Sequence, residues 1–294
     1  TRYIEGCSTA DIPAPLTYSI APRTITQAQF IAAGGAATDN CGAAGLAYSY
    51  IDSESGNCPI VVTRVFTVRD ACGNTASCTQ MIYINDTQDP VIVTCPADQD
   101  IEGCDVTSIS GLPYSSTGAA ISSAQFIAEG GDAYDICGIT SYTYSDTQSG
   151  SCPVTVTRTF VLTDACLNSA SCVQTITIDD NTPPTASNPA PITGIQCIDD
   201  IPDPDPLVVT DEADNCPVAP VVTWIDDANN GGSGCPSDPY IVNRTYRVTD
   251  VCGNYIDVVQ SITVVDDTPP VINPAPVVVA QPVPGIDGKM GVRK

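Results

Sequence analysis

The chain has 294 residues, of which 15 are cysteine, none is histidine and 43% are hydrophobic. Its formal net charge of −24 repels nucleic acid and anionic membrane surfaces and makes cations the natural partners. No apolar run approaches the ~20 residues that span a bilayer, and the lack of CxxC pairs and of histidine argues against zinc. We therefore expect no nucleic-acid partner and no direct insertion into a membrane.

Self-comparison shows an internal repeat, which fixes the domain organisation. The segment CPIVVTRVFTVRDACGNTASC starts at Cys58, and CPVTVTRTFVLTDACLNSASC starts at Cys152. A looser copy, CPSDPYIVNRTYRVTDVCGN, starts at Cys235. We predict three domains of immunoglobulin-like size and a remainder: 1–86 as repeat 1 without its N-terminal part, 87–180 as repeat 2, 181–267 as a shorter repeat 3, and 268–294 as the start of a further repeat or a tail. We expect the chain to be a window from a longer repetitive protein.

The predicted elements of one repeat follow in chain order. A short helix with a Thr or Ser cap and a glycine pair at its end is predicted from Thr24 in repeat 1 and from Ile121 in repeat 2, but not in repeat 3. The segments SYTYSD and VVTWID each predict a strand, with Tyr144 and Trp224 as its core aromatics. Alternation from Val154 to Leu162 then predicts a half-buried strand, followed by a tight turn and a further strand. The predicted fold class is all-β, a series of tandem immunoglobulin or fibronectin-III-like sandwiches with disulfides.

One arginine recurs on the apolar face of the central strand of each repeat. A buried guanidinium requires a paired carboxylate. Acids at the end of the preceding strand give the predicted pairs Arg64–Asp52, Arg158–Asp146 and Arg244–Asp226. The alternative is an arginine whose stem packs inward while its charged head reaches solvent. Both interpretations are structural.

The cysteines at matched spacings indicate a disulfide framework made in an oxidising compartment. Cys152 and Cys166 bracket one strand and lie roughly 46 Å apart, so they cannot pair with each other. Repeat 3 lacks the equivalents of both Cys95 and Cys172, which suggests that these two are partners. Strand direction places Cys137 and Cys166 at one end of the sandwich, and Cys104 and Cys152 at the other.

These constraints predict pairing within each repeat. The predicted bridges are Cys7–Cys58, Cys41–Cys72, Cys95–Cys172, Cys104–Cys152, Cys137–Cys166, Cys197–Cys235 and Cys216–Cys252. Cys78 is left unpaired within the chain, and its partner is expected just upstream of Thr1.

The segment DTQDPVIVTCPADQDIEGC, then DICG, then CPVTVTRTFVLTDACLNSASC resembles the hyalin repeat (HYR) family, in its HYR-like form with four extra cysteines. The resemblance covers essentially the whole chain and is best in repeat 2. Leu167 replaces the usual turn glycine there, and repeat 3 departs by losing two cysteines and the helix. The resemblance implies a sandwich with an adhesive or spacer role, as in giant surface adhesins of Bacteroidota, including SprB-like gliding-motility adhesins exported by type IX secretion.

Acidic, proline-rich segments join the repeats, and further acids recur in the loops that should meet them. Ca²⁺ takes six to eight oxygen ligands, so these clusters suit it, in an arrangement similar to that at cadherin junctions. The candidate calcium ligands are Asp86, Asp89, Asp135, Asp164, Asp179, Asp180, Asp214 and Asp250. The alternative is that Asp and Asn occupy turns because their side chains bond the local backbone. No cofactor other than this possible Ca²⁺ is expected.

The repetition favours a non-catalytic structural or adhesive segment of a secreted or cell-surface protein, because an enzyme needs a non-repeated constellation of titratable groups. The expected partners are neighbouring repeats of the same long chain, and surface glycans or other cell-surface proteins. One alternative is a self-assembling extracellular filament or surface layer. Another is a carbohydrate- or protein-binding module, for which the loop 226–238 is the candidate patch. The simpler interpretation of that loop is a flexible Gly/Asn connection.

Overall fold

The computed structural model describes residues 1–42 and 45–273, and these form two compact units. The first unit comprises Thr1–Pro183 with the loops Asp214–Ala219 and Asp250–Asn254. The second comprises Pro184–Ala213, Pro220–Thr249 and the residues from Tyr255 onward. Each predicted repeat contributes one main sheet, and the exact repeat boundaries stay predictions.

Repeat 1 forms a five-stranded sheet and a short helix. Its elements are β1 (Arg2–Glu5), β2 (Arg23–Ile25), α1 (Gln27–Ala32), β3 (Ala47–Ser55), β4 (Ile60–Arg69) and β5 (Thr75–Asn85). The strand order is β1-β5-β4-β3-β2, with β1 parallel to β5 and the other pairs antiparallel. A parallel edge strand requires a crossover connection, and here β2, α1, β3 and β4 lie between β1 and β5 in the chain.

Repeat 2 has the same main sheet and a second small sheet. Its elements are β6 (Val91–Thr94), β7 (Gln99–Glu102), β8 (Ala119–Ile121), α2 (Ser123–Ala128), β9 (Asp132–Tyr134), β10 (Ile139–Ser149), β11 (Val154–Asp164) and β12 (Ser169–Asp179). The main order is β7-β12-β11-β10-β8, and β6 pairs with β9 in a separate two-stranded sheet. The small sheet and α2 lie on one face of the main sheet and close its core.

Repeat 3 keeps the main sheet in shorter form. Its strands are β13 (Ile192–Ile195), β14 (Val221–Asn229), β15 (Tyr240–Thr249) and β16 (Tyr255–Val264), in the order β13-β16-β15-β14. No α-helix occurs in its residues 181–267, as the sequence predicts. The all-β, immunoglobulin-like architecture, with a short helix in repeats 1 and 2, is confirmed.

The cores follow from the alternation of the central strands. Along β11, Val154, Val156, Phe160 and Leu162 are buried, while the threonines between them are more accessible. Successive strand side chains point to opposite faces, so one face of β11 packs into the core and the other stays closer to solvent. The helices add one aromatic each, because Phe30 and Phe126 are buried against the same region of their sheets.

The helix ends are set by local chemistry. Ser122 accepts a hydrogen bond from the amide of Gln125, whose side chain accepts one from the Ser122 amide, which forms a capping box. Gly130 ends the helix with φ of +94°, a value that favours glycine. The next residue, Gly131, lies so close to the Phe126 ring that a side chain there would clash.

Buried ion pairs connect two strands of each main sheet to a loop. Arg158 is 1% exposed, and its Nε and Nη2 lie 2.8 and 2.9 Å from the two carboxylate oxygens of Asp146. Arg158 also donates to the Leu112 carbonyl and lies over the Tyr144 ring. Repeat 1 repeats this pattern with Arg64 and Asp52. These guanidinium groups are therefore buried and paired and do not reach solvent.

The predicted partner of Arg244 is wrong. Arg244 pairs with Asp227, at 2.7 Å between Nη2 and Oδ2, and not with Asp226. A bulge between Trp224 and Asp226 inserts one residue into β14 and moves Asp227 opposite Arg244. The hydrogen bond from Arg244 lowers the pKa of Asp227. Trp224, predicted as a core aromatic, is 47% exposed and donates its indole N–H to Asp227.

Candidate functional site

Two disulfides cross the junction between repeats 1 and 2. The chain leaves repeat 1 at Asn85 and Asp86, beside Cys7 and Cys58. Both cysteines bond to the facing loops of repeat 2, as Cys7–Cys137 and Cys58–Cys166, with Cα atoms 5.1 and 5.2 Å apart. Two disulfides beside the linker therefore join repeat 1 covalently to repeat 2.

The same pair of bridges recurs later in the first compact unit. Cys104 bonds to Cys216 of the loop Asp214–Ala219, and Cys152 bonds to Cys252 of the loop Asp250–Asn254. The residues match those of the first junction position by position, because Cys104 and Cys152 correspond to Cys7 and Cys58. The pattern is thus a property of the repeat and not of one junction.

These bridges correct most of the predicted pairing. The structure shows Cys95–Cys172, the pair inferred from its joint loss in repeat 3. It does not show the within-repeat pairs Cys7–Cys58, Cys41–Cys72, Cys104–Cys152, Cys137–Cys166, Cys197–Cys235 and Cys216–Cys252. The predicted placement of two cysteines at each end of a repeat agrees with the bridges. The error lies in pairing the two with each other, whereas each cysteine at a bridged end bonds to a cysteine of the adjoining repeat.

Five cysteines of the described chain carry no bridge and are exposed: Cys41, Cys72, Cys78, Cys197 and Cys235. Four of them occupy the positions that cross a junction elsewhere, since Cys41 and Cys72 correspond to Cys137 and Cys166. Cys197 and Cys235 correspond to Cys104 and Cys152. Cys78 corresponds to Cys172, and within the described residues it is unpaired, as predicted.

Between the two bridges of the first junction lies a cluster of three carboxylates. One oxygen from each of Asp86, Asp135 and Asp164 lies within 4.8 Å of the others. Asp86 is 1% exposed, and its Oδ1 accepts a hydrogen bond from the Gln88 amide. Its Oδ2 is buried and has no hydrogen-bond partner. A buried carboxylate oxygen without a partner is costly, so this cluster lacks a positive charge or a donor.

Electrostatics point the same way. Burial raises the pKa of Asp86, and the neighbouring carboxyl groups of Asp135, Glu5 and Asp164 raise it further, against the opposing effect of the hydrogen bond from the Gln88 amide. The raised pKa means that the folded protein resists an ionised Asp86 as long as no cation compensates it. A divalent cation between the three carboxylates would remove this penalty.

The corresponding cluster at the second set of bridges contains Asp180 and Asp214. Asp180 is 2% exposed; its Oδ1 accepts from Asn215 and from the Thr182 amide, and its Oδ2 has no partner. The Oδ1 of Asp214 is also buried without a partner. The sulfur of Cys216 lies in this cluster, but it belongs to a disulfide and is not a thiolate ligand. The second cluster therefore contains two carboxylates, whereas the cluster at the first junction contains three.

Not all predicted ligands reach these clusters. Asp89 is exposed in the linker, and Asp179 lies beside the sulfur of Cys152, at 3.6 Å. Asp250 is buried and accepts hydrogen bonds from Cys252 and Asn254 in its own turn, in the same way as Asp164. Unlike Asp164, however, Asp250 is not grouped within 4.8 Å of the other carboxylates of its junction. Asp89, Asp179 and Asp250 are therefore not part of the two carboxylate clusters.

Sequence reasoning missed the asparagine of the tight turn. Asn168 donates its Nδ2 to the carbonyl of Asp86 and also to Asp164, while Asn254 does the same with Asp180 and Asp250. The amide thus ties the turn to the linker. The recurrence of this asparagine in ACGN, ACLN and VCGN was the signal available in the sequence.

The linkers are clamped by one further side chain each. Glu5 accepts from the amide and hydroxyl of Thr87, and Glu102 accepts from Asn181 and Thr182. These hydrogen bonds lower the pKa of both glutamates, which favours their ionised forms. Together with the prolines, the clamps restrict the backbone between repeats.

The loop 226–238, the candidate recognition patch, satisfies much of its polarity internally. Asn230 bonds to Pro239 and Ile241, and Asp238 accepts from the Ser233 amide. The loop therefore has a local structural role that needs no ligand.

No protein-family model and no curated protein matches the chain. Solved structures with some similarity include protocadherin gamma C5 EC1–3, at 10% identity over 72% of this chain and 77% of that one, with a TM-score of 0.24. Drosophila N-cadherin EC1–4 is 11% identical over 70% of this chain and 58% of that one, with a TM-score of 0.27. Human CDH23 EC21–23 is 15% identical over 70% of this chain and 74% of that one, with a TM-score of 0.25. Scores this low do not assign the chain to the cadherins.

Within the residues that the structure describes, no helix is long and apolar enough to cross a bilayer.

Proposed function

We propose that this chain is a non-catalytic structural segment of an extracellular adhesin, in which paired disulfides and a calcium ion stiffen every junction between repeats. The carrying observation is the recurrence of two cross-junction bridges, Cys7–Cys137 with Cys58–Cys166 and then Cys104–Cys216 with Cys152–Cys252. A single disulfide would still allow two repeats to rotate about it, whereas two disulfides at separate points of the junction prevent this rotation.

The bridges also supply stability. They close loops of 100 to 130 residues, and closing a loop of this size removes about 4–5 kcal/mol of chain entropy from the unfolded state. Small secreted domains need such reinforcement because their hydrophobic cores are small, and disulfides form and persist in the oxidising environment outside the cell. A chain built in this way supplies length and resistance to unfolding.

Calcium is the proposed ion because the available ligands are hard oxygens. Asp86, Asp135 and Asp164 provide three carboxylates, and water can complete the six to eight ligands that Ca²⁺ takes. The orphaned, buried Oδ2 of Asp86 is the observation that fits an ion rather than a simple turn. With two carboxylates, Asp180 and Asp214, the second cluster should bind Ca²⁺ more weakly.

The finer assignment is to HYR-like repeats of a Bacteroidota surface adhesin, of the gliding-motility type that type IX secretion exports. It rests on the motif resemblance described above. The acidic charge and the repetition of the framework support a long surface molecule, with neighbouring repeats, surface glycans and other surface proteins as partners.

Pulling single molecules by their two ends tests the stiffened junctions. With all four bridges intact, the chain between Cys7 and Cys252 can lengthen only through the stretch from Cys137 to Cys152, so extension should be short. After reduction, the full stretch between Cys7 and Cys252 should extend at up to ~3.6 Å per residue. Equal extension with and without reductant would contradict the proposed function.

Calorimetry tests the ion. Ca²⁺ added to the chelator-treated chain should bind and raise its melting temperature. At a free Ca²⁺ concentration of 100 times the dissociation constant, the free energy of unfolding should rise by about 2.7 kcal/mol. Asp86→Asn should abolish the stronger site, whereas the control Asp89→Asn, in the same linker, should not. Absence of calcium binding by the unaltered chain would reject this part of the proposal.

A glycan array separates the structural role from a carbohydrate-binding module. The chain should bind no sugar at micromolar concentration. Saturable binding that is lost on changing the loop 226–238 would instead support the binding module.

A further inference from the structure

The three long strands of repeat 2 present an uncharged face to solvent. Successive strand side chains point to opposite sides of a sheet, so the side chains that alternate with the core residues of β10, β11 and β12 share this face. We call it the outer face, and it consists of the odd-numbered residues of 141–149, 155–163 and 169–177. None of these residues is buried, and all are Ser or Thr except Val161 and Val173.

The hydroxyl groups of the outer face lie in rows across the strands. Thr157 lies near the centre, opposite Thr147 of β10 and Thr175 of β12. Within the part of the chain that the structure describes, Thr143 is the one residue of this face whose hydroxyl bonds to the protein. A hydroxyl both donates and accepts hydrogen bonds, whereas a carboxylate only accepts them. A face of hydroxyls is therefore complementary to a copy of itself.

The charge of the chain directs copies towards this face. The net charge of −24 makes two copies repel each other. The outer face contains no charged residue, and the acids beside it, Asp100 and Glu102 of β7, lie on the edge strand next to Thr177 and Asp179. Charged residues are depleted at the centre of protein interfaces and tolerated at the rim. Two copies therefore meet with least repulsion across the outer face.

Repeat 3 does not offer the same face. Arg247 and Asp257 occupy there the positions of Val161 and Ser171, and they form an ion pair at 2.8 Å with side chains 33% and 37% exposed. Covering this pair would take two charges out of water, which costs more than covering hydroxyls that find new partners. The corresponding side of repeat 3 therefore disfavours such a contact.

The size of the outer face suits a weak contact between copies. β11 has 11 residues and is about 37 Å long, and three strands ~4.8 Å apart cover a width of about 14 Å. Each copy thus supplies about 500 Å², and the two together about 1,000 Å², which is the lower limit for a specific interface. Several such contacts along a longer chain would add through avidity.

We propose that the outer face of repeat 2 is a contact surface for a second copy of this chain, packed face to face about a two-fold axis. Each copy supplies the same residues, as in an isologous interface. The hydroxyls bond across the interface, while the threonine methyl groups and the two valines are removed from water. This contact goes beyond the proposed function, because it joins separate chains and depends neither on the bridges nor on calcium.

Sedimentation equilibrium of the full 294-residue chain tests the contact. The exposed thiols are first alkylated with iodoacetamide, so that no disulfide forms between copies. A dimer should appear as the protein concentration rises to about 1 mM. Its dissociation constant should be lower in about 0.5 M NaCl than in about 0.05 M, because salt screens the repulsion between copies. A chain that stays monomeric at every concentration and both salt levels would overturn the proposal.

A charge placed at the centre of the outer face locates the contact. Thr157→Glu brings like charges together in the dimer and should raise the dissociation constant by about tenfold or more. Asn243→Glu is the matched control, because Asn243 is exposed at the equivalent position of repeat 3. In about 0.5 M NaCl the control should change the dissociation constant by less than about twofold, since a charge outside the contact is screened.

Equal weakening by the two variants would mean that net charge alone controls the association, and it would overturn the proposal. A dimer that is unaffected by Thr157→Glu would be held by another surface, which also overturns it. Circular dichroism checks that each variant is folded. If Thr157→Glu does not fold, Thr147→Glu on the neighbouring strand gives the same test, because Thr147 is exposed directly opposite Thr157.

Discussion

Repeats 2 and 3 share their main sheet but differ in what closes it. Repeat 2 has α2, the small β6–β9 sheet and the Cys95–Cys172 bridge, whereas repeat 3 has Asn188 and Val258 at the two cysteine positions. Repeat 3 also contains a bulge directly after Trp224, and this side chain is 47% exposed. The junction residues Asp214, Cys216, Cys252 and Asn254 are nevertheless all kept. Repeats 2 and 3 thus differ in the body of the repeat and share these residues of the loops that carry the junction bridges.

Removal of a junction bridge should have the largest effect. Cys58→Ser with Cys166→Ser opens a loop of 108 residues, and we expect a loss of about 4–5 kcal/mol in the free energy of unfolding. The matched change is Cys95→Asn with Cys172→Val, which gives repeat 2 the residues of repeat 3. It should cost less, because repeat 3 folds with this pair. Denaturant unfolding measures both, and a larger loss for the second change would break the comparison.

Loss of the buried carboxylate should come next. Asp146→Ala leaves Arg158 buried without its partner, which costs about 3–5 kcal/mol. Asp227→Ala in repeat 3 should cost less, because the Asp227 side chain is 30% exposed and water can replace it. Asp226→Ala serves as the control and should change the stability little. Equal losses at Asp146 and Asp227 would show that the bulge does not weaken the pair.

A turn residue should give the smallest effect, in the stabilising direction. Leu167 has φ of +71° where Gly73 and Gly253 have +91° and +94°. Leu167 is 82% exposed, so Leu167→Gly relieves backbone strain and loses little packing, and the free energy of unfolding should rise by about 0.5–1 kcal/mol. Thermal melting measures the change, with Gly253→Leu expected to lower stability by a similar amount. A destabilised Leu167→Gly chain would mean that this turn carries no strain.

The sequence was sufficient for the local structure and for much of the body. Alternation in β11, the capped helices and the Arg158–Asp146 pair follow from patterns that span a few residues or adjacent strands. The partner of Arg244 was missed because a single bulge near Ile225 shifts the register of β14, and the sequence pattern carries no mark of it.

The junction could be predicted only in part. Two cysteines at each end of a repeat follow from strand direction, but their partners depend on how consecutive repeats dock, which no local pattern encodes. The acidic residues were identified as a group, yet only the structure separates Asp86, with its unpartnered oxygen, from exposed Asp89 three residues later. Turn chemistry and cation binding use the same residue types, so composition cannot distinguish them.

Peptide mapping of the non-reduced chain tests the central claim most directly, because it reads the bridges themselves. After proteolysis without reductant, the peptide containing Cys7 should be joined to the one containing Cys137, and that of Cys58 to that of Cys166. Cys104 should be joined to Cys216, and Cys152 to Cys252. Recovery of Cys7 joined to Cys58, or of Cys137 joined to Cys166, would contradict a chain whose repeats are locked to one another.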